Sequence, residues 1–204
     1  MNVLILTLLI FFSTSVESDD GSFRASVEYS GGTELMTESF VLYDRYDVVV
    51  YMKSNSTLNT FFISNTGSVF ALNEHRLCFY HQDGREKMLK ELVYPNGFGF
   101  SSDNSIFFAS DREGLFVYSD DGNLVHIYRP GRLFTGSTKG ENVAIISADT
   151  LFVYENGSII DTEFLSSPYA SELYYSADGK SIVVQLPGAA ETYDIRTRSW
   201  EKQE

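Results

Sequence analysis

Asp111-Arg112-Glu113 is the densest charged cluster in the chain. Carboxylates flanking a guanidinium can hold a polar ligand. A carboxylate opposed to a second one across a cleft can instead work as an acid–base pair. Asp149 is the natural opposite number for Asp111, and that pairing would make a hydrolase or lyase. Asp111 also has a simpler use, pairing with Arg112 or capping a turn. The other polar clusters are Asn73-Glu74-His75-Arg76, Arg129-Pro130-Gly131-Arg132 and Ser167-Pro168-Tyr169.

The remaining reactive side chains point away from catalysis and from cofactors. His75, His81 and His126 are scattered, without a metal-ligand spacing such as His-x-x-x-His. Cys78 is the sole cysteine, so no intramolecular disulfide forms, and its apolar setting Leu77–Tyr80 suits a small buried hydrophobe. The sequence has no Gly-x-Ser-x-Gly elbow and no glycine-rich phosphate loop. Ser176-Ala177-Asp178-Gly179 approaches the Ser-x-Asp-x-Gly-x-x-Trp turn of sialidases, but its glycine is shifted and the tryptophan is missing. Asp120-Asp121-Gly122-Asn123 offers oxygen ligands without the rest of a calcium loop, and a hairpin turn accounts for it. We expect no catalytic, cofactor or metal residue.

A repeat positions these groups. Tyr43, Tyr80, Tyr118, Tyr154 and Tyr193 are separated by 37, 38, 36 and 39 residues, and each ends a short apolar run before a polar turn. Each copy has a short segment closed by serine (Ser64, Ser101, Ser137, Ser176) and a turn rich in Asn, Asp, Gly or Lys. A β-branched and aromatic run follows (Val69–Leu72, Ile106–Ala109, Val143–Ile146, Ile182–Gln185). The tyrosine segment and a last extended stretch complete the copy. Runs of this length and composition, bounded by turn formers, are strands. Four strands of about six residues with their turns fill roughly 36–40 residues, one period. Arg85–Leu92 reads as the edge strand of copy two, where Lys and Glu discourage stray pairing.

A lone four-stranded meander cannot bury both faces, so the copies must stack. Radial stacking gives an all-β β-propeller of about five four-stranded antiparallel blades, as a closed ring or an open, incomplete arc. The first copy is degenerate: its outer hairpin is clear in Phe40–Lys53, whereas its inner half, around Arg24–Glu38, fits poorly. By register, the loops between second and third strands and the inter-blade connections share one mouth of the axis. That placement nominates His75, Arg76, Asp111, Arg112, Glu113, Arg129 and Arg132 as a ligand-binding rim.

Length and composition set the outer bounds. Two hundred and four residues with 43 % hydrophobic content make one domain with a proper core. The apolar run Val3–Phe12, before small residues and Asp19-Asp20, reads as a signal peptide over residues 1–18, leaving 19–204 as the repeat domain. No Lys or Arg precedes that run, and a membrane anchor or a buried first strand is the alternative. A secreted or periplasmic protein without a membrane span after cleavage follows. Asn55-Ser56-Thr57 and Asn156-Gly157-Ser158 match the glycosylation triplet, the second being explained by its hairpin. A formal charge of −13 disfavours nucleic acid and anionic membranes as partners.

Ser101–Asn123 resembles the repeat of TolB-like (WD-like) propellers, roughly F-S-P-D-G-K-x-I-A-F-x-S-D-R-x-G. Phe100, Ser101, Asp103, Ile106, Phe108, Ser110, Asp111, Arg112 and Gly114 match in order. Tyr175–Val184 is similar, and Tyr193–Trp200 resembles the outer hairpins of many propellers. Ser102 and Ala177 replace the usual proline. That family has six blades, against about five here. The resemblance implies a propeller and carries over no activity. The expected function is an exported, non-enzymatic binding protein for a protein, peptide or glycan. A propeller hydrolase or lyase is the alternative, and self-association follows if the ring is incomplete.

Overall fold

A computed structural model of the chain describes residues 14–32, 35–54, 60–101, 104–136, 142–176 and 178–202. Blade 1 comprises β1 (Thr14–Glu17), β2 (Phe23–Gly32), β3 (Leu35–Asp44) and β4 (Val49–Ser54). Blade 2 follows with β5 (Thr60–Ile63), β6 (Val69–Asn73), β7 (Arg76–Tyr80) and β8 (Glu86–Glu91). In blade 3 these become β9 (Gly97–Phe100), β10 (Ile106–Ser110), β11 (Leu115–Ser119) and β12 (Leu124–Tyr128). Blade 4 holds β13 (Leu133–Gly136), β14 (Asn142–Ser147), β15 (Thr150–Glu155) and β16 (Ser158–Phe164). β17 (Glu172–Tyr175), β18 (Ser181–Leu186), β19 (Ala189–Asp194) and β20 (Ser199–Lys202) form blade 5.

Each blade is an antiparallel meander whose strands pair in chain order. The five repeat tyrosines all fall at or near the end of a third strand. First strands approach one another at the axis, β1 towards β5 and β13 towards β17. Fourth strands lie outermost, and residues 86–91 form one of them, as their Lys/Glu pattern requires.

Local turn chemistry explains the serines. Ser64 opens the turn between β5 and β6; its backbone pairs with Ser68, and its Oγ accepts the Ser68 N–H at 3.0 Å. Ser176 repeats this with the N–H of Ser181 at 3.0 Å, and Ser101 with that of Ile106 at 3.1 Å. The fourth turn residue needs positive φ, supplied by Gly67, Gly179 or Asn104. Ser137 lies outside the described residues.

Blade 1 departs from the sequence expectation. Residues 23–32 and 35–44 form its second and third strands, and the innermost strand is β1, inside the segment read as a leader. Ser18 is buried and serves as its turn serine: its Oγ accepts the Phe23 N–H at 3.0 Å, and Gly21 takes positive φ. β2 lacks the apolar run of its counterparts, so its register could not be read from hydrophobicity.

Each junction between consecutive blades has its own core. Phe40 packs edge-on to Phe61 between blades 1 and 2, and Phe70 stacks on Phe107 at 4.2 Å between blades 2 and 3. Phe108 meets Phe134 between blades 3 and 4, and Leu151 and Val153 meet Ile182 and Val184 between blades 4 and 5. Four cores thus serve five blades; among the described residues none joins blade 5 to blade 1. The burial rhythm agrees. β10, covered on both faces, is buried at every position, whereas β18 alternates, with Ile182, Val184 and Leu186 buried and Ser181, Val183 and Gln185 half-exposed. Among the described residues the five blades form an open arc.

The repeat tyrosines show how blades grip one another. The Tyr80 hydroxyl accepts from Lys53 Nζ of β4 at 3.4 Å, Tyr154 lies edge-on to Tyr128 of β12 at 4.7 Å, and Tyr193 donates to Asp161 of β16. In each case the partner sits on the outermost strand of the preceding blade. Tyr43 finds its partners within its own blade: it donates to Glu28, and the Arg24 guanidinium covers its ring at 4.4 Å.

Candidate functional site

The loops between second and third strands interleave with the inter-blade connections on one face. The Leu92 N–H donates to the His75 carbonyl at 2.7 Å, and the Arg112 N–H to the Val93 carbonyl at 2.9 Å. Further round, the Arg132 N–H donates to the Ile146 carbonyl at 2.9 Å and the Leu165 N–H to the Asp149 carbonyl at 2.8 Å. Backbone groups are thereby satisfied locally, and side chains are left to face outward.

The seven rim candidates share this face but divide by role. His75, Arg76 and Arg112 are exposed, and among the described residues their side chains make no hydrogen bond or ion pair. The Arg129 guanidinium lies over the Phe152 ring, its Cζ 3.8 Å from the centroid, and among the described residues it makes no ion pair. Glu113 pairs with Lys90 of β8 at 2.8 Å, so its charge is offset.

Two candidates are structural. Asp111 is fully buried, and its carboxylate accepts the N–H groups of Val93 (2.9 Å), Glu113 (2.7 Å) and Gly114 (3.0 Å). With three of its roughly four acceptor sites filled and no exposed surface, this carboxylate is closed to a ligand at the rim. Its charge is still felt: burial first, then Asp111, pushes the Tyr118 hydroxyl up to about 12. Arg132 donates to three carbonyls, those of Pro168 at 2.7 Å, Ala148 at 3.4 Å and Ala170, and so clamps the connection between blades 4 and 5. The acid–base pair considered for Asp111 and Asp149 therefore lacks one member. Asp149 is exposed and accepts a hydrogen bond from Thr150.

Sequence reasoning placed Ser167-Pro168-Tyr169 at this mouth but counted neither Tyr169 nor Tyr94 among the rim candidates. Tyr94, between blades 2 and 3, and Tyr169, between blades 4 and 5, are 73 % and 74 % exposed, and Phe164 at the end of β16 is 75 % exposed. The available signal was a tyrosine beside a proline in a short polar connection, Tyr94-Pro95 and Pro168-Tyr169.

Two cavities of about 360 Å³ each flank β9. One lies between β9 and β13, walled by Phe98, Phe100, Phe108 and Phe134 with Asn96 and Arg132 at its end. The other involves β1, β5 and β9 and contains Glu17, Asp19, Asn104, Phe62 and Phe100. Beside it, the Asn65 N–H donates to Asn104 Oδ1 at 2.7 Å, and Asn104 Nδ2 to Asp19 Oδ2 at 3.2 Å, tying the inner turns of blades 1, 2 and 3. Among the described residues no group of three or more His, Cys, Asp and Glu could hold a metal ion.

No family model matches the sequence, and no sequence-level relative is found among characterised proteins. Solved structures do match. A chain titled as the crystal structure of the eukaryotic initiation factor superposes with a TM-score of 0.68 at 11 % identity, over 94 % of this chain and 54 % of that one. A chain from a crystal structure of the mitotic checkpoint complex gives 0.59 at 10 % identity, over 93 % of this chain and 63 % of its own. This chain thus spans less than two thirds of either. The similarity is one of fold alone, a β-propeller; it does not single out the TolB-like repeat that the sequence resembles.

Proposed function

We propose that this chain is an exported β-propeller scaffold that binds a protein partner through the face carrying the second-to-third-strand loops of blades 2–4. The observation that carries the reading is the pair of outward-facing tyrosines, Tyr94 and Tyr169, on a shallow rim with exposed Arg112 and Arg129. Tyrosine and arginine supply large contact area and adaptable hydrogen bonds, which suits protein recognition. Propeller scaffolds among the structural neighbours favour the same class of function. A peptide or glycan is accommodated by the same groups, stacking on tyrosine and bonding to guanidinium.

Site-directed photocrosslinking tests the reading. A crosslinking residue at position 94 or 169 should trap a discrete partner from the native exported fraction, while the same residue at Asn123, on the opposite face, should not. Equal trapping at all three positions, or none at 94 and 169, rejects the proposal. Export rests on the apolar run Val3–Phe12, and fractionation with determination of the mature terminus tests it.

A further inference from the structure

Charge is distributed unevenly over the two faces of the arc. The chain carries 28 carboxylate and 15 Lys/Arg side chains, so an arginine without a carboxylate partner is the less expected state. Away from the rim four cations are paired, Arg24 with Asp47, Lys53 with Glu86, Arg85 with Asp83 and Lys180 with Asp178, while Arg45, Arg196 and Arg198 make no ion pair among the described residues. On the rim Glu74 and Asp149 are exposed carboxylates, but in blade 3 both carboxylates of the loop are occupied. Glu113 is taken by Lys90, and Asp111 is buried against backbone N–H groups. Arg112 and Arg129 make no ion pair among the described residues. The opposite face collects Asp19, Asp20, Asp44, Asp47, Asp83 and Asp121, interspersed with Arg45, Arg85, Lys180, Arg196 and Arg198.

The basic positions are contiguous with the exposed aromatics. Arg112 is bonded through its backbone to Val93, next to Tyr94. Gly114, two residues on, lies against the Tyr128 carbonyl, next to Arg129. Arg132 holds the Pro168 carbonyl, next to Tyr169. Arg132 also fixes that loop's position, so Tyr169 stands on a braced connection.

We infer that this rim takes an acidic, extended peptide segment of a partner protein, its carboxylates on Arg112 and Arg129 and an apolar or aromatic side chain against Tyr94 or Tyr169. The inference rests on the protein-binding reading and adds the chemistry of the partner. Guanidinium forks match carboxylates in bidentate geometry, and the tyrosine faces supply apolar contact at small entropic cost. Phosphate-rich polymers share the anionic chemistry. The carboxylate excess of the whole molecule repels a long polyanion, whereas a short acidic segment can sit at the blade 3 rim alone, where Glu113 and Asp111 are already occupied.

The test uses an array of random twelve-residue peptides graded from strongly acidic to strongly basic, with and without aromatic residues, probed with the full chain. Bound peptides should be enriched in Asp and Glu and further enriched when an aromatic is present. For the strongest, Arg112→Glu and Arg129→Glu should each weaken binding about tenfold or more. Tyr94→Ala should weaken it at unchanged net charge, and raising salt from about 50 to about 300 mM should weaken it for the wild type. Arg196→Glu, on the opposite face, is the control with the same change in total charge and should leave binding unaltered. Enrichment of basic or charge-neutral peptides overturns the inference, as does equal loss in the Arg196 control. Tighter binding to single-stranded DNA or anionic vesicles than to any peptide also overturns it. If crosslinking at Tyr94 traps a partner while the array shows no acidic preference, the binding role stands and the acidic-segment inference falls.

Discussion

Tyr193, fully buried in blade 5, donates its hydroxyl to Asp161 on the outermost strand of blade 4, whereas Tyr43, the equivalent residue of blade 1, donates to Glu28 of its own blade. In blades 2, 4 and 5 the repeated tyrosine reaches the outermost strand of the preceding blade, whereas in blade 1 it bonds within its own blade. Tyr193→Phe should therefore cost about 1–3 kcal/mol, because a carboxylate loses its donor in a desolvated junction. Tyr43→Phe, half-exposed, should cost under about 1 kcal/mol. Urea unfolding of the two variants checks this; equal costs would contradict the open seam.

Asp111→Ala should be among the most damaging single substitutions on the rim, costing about 2–4 kcal/mol. Three backbone N–H groups would lose their acceptor, two of them in a loop that braces blades 2 and 3. Asp149→Ala, exposed and bonded to its neighbour, should change stability by no more than about 0.5 kcal/mol. Thermal melts of both proteins decide. A neutral Asp111→Ala would return that residue to the list of ligand contacts.

The repeat tyrosines and Asp111 mark where sequence reading succeeded and where it stopped. Tyrosine spacing revealed the blade because burial at a constant phase demands a constant residue type, and every third strand carries the residue as read. Inter-blade loops and the edge strand at 86–91 followed from the same register. Blade 1 was harder. Its turn, Ser18-Asp19-Asp20-Gly21-Ser22, has the Ser-x-x-Gly pattern of Ser64–Ser68 and Ser176–Lys180, but an apolar run upstream made it look like the end of a leader. Asp111 and Arg112 are adjacent and similarly polar, yet one points inward and the other outward. Alternation along the loop decides that, and no composition rule reports it.

Acid should weaken the fold through its turns. Backbone and hydroxyl donors hold Asp20, Asp83, Asp121, Asp178 and Asp194 below the ordinary aspartate range: the Ser22 N–H leads for Asp20, the Arg85 N–H for Asp83, the Ser119 hydroxyl for Asp121, the Ser176 hydroxyl for Asp178 and the Thr197 N–H for Asp194. A carboxyl with a lowered folded pKa stabilises fully above its unfolded value, about 3.9, and loses that contribution as pH falls through the folded one. Urea midpoints should hold steady from pH 7 to about 5 as far as these groups are concerned, then drop below about pH 4. At the alkaline end burial raises Tyr80, Tyr118, Tyr154 and Tyr193. The stability they confer is intact below pH about 10 and drains as pH climbs past it. Tyrosinate absorbance of these four should therefore rise together with unfolding, not ahead of it.

Two glycines of β9 separate packing from open space. A methyl group on Gly97 would meet the Phe134 ring at 2.6 Å, whereas one on Gly99 would meet nothing within 4 Å. Gly97→Ala should cost about 1–3 kcal/mol by forcing Phe134 aside. Gly99→Ala should be neutral or stabilising by up to about 1 kcal/mol, since the unfolded chain loses freedom and the folded strand gains no clash. Denaturant midpoints distinguish them, and a costly Gly99→Ala would mean that the cavities beside β9 are narrower than found.

Removal of β1 offers the sharpest check on blade 1. Val16 packs against the core between blades 1 and 2, β1 pairs with β2 from Thr14 opposite Val27 to Glu17 opposite Arg24, and Ser18 Oγ accepts the Phe23 N–H. A chain beginning at Asp19 would expose the inner edge of β2, lose that turn bond and uncover part of the junction core. A chain beginning at Thr14 would keep all three. The shorter form should be less stable by about 2–4 kcal/mol, with the loss concentrated in β2 and β5 by hydrogen exchange. Equal stability of the two truncations would show β1 to be dispensable, and processing after Ser18 would then leave the fold of blades 1 and 2 intact.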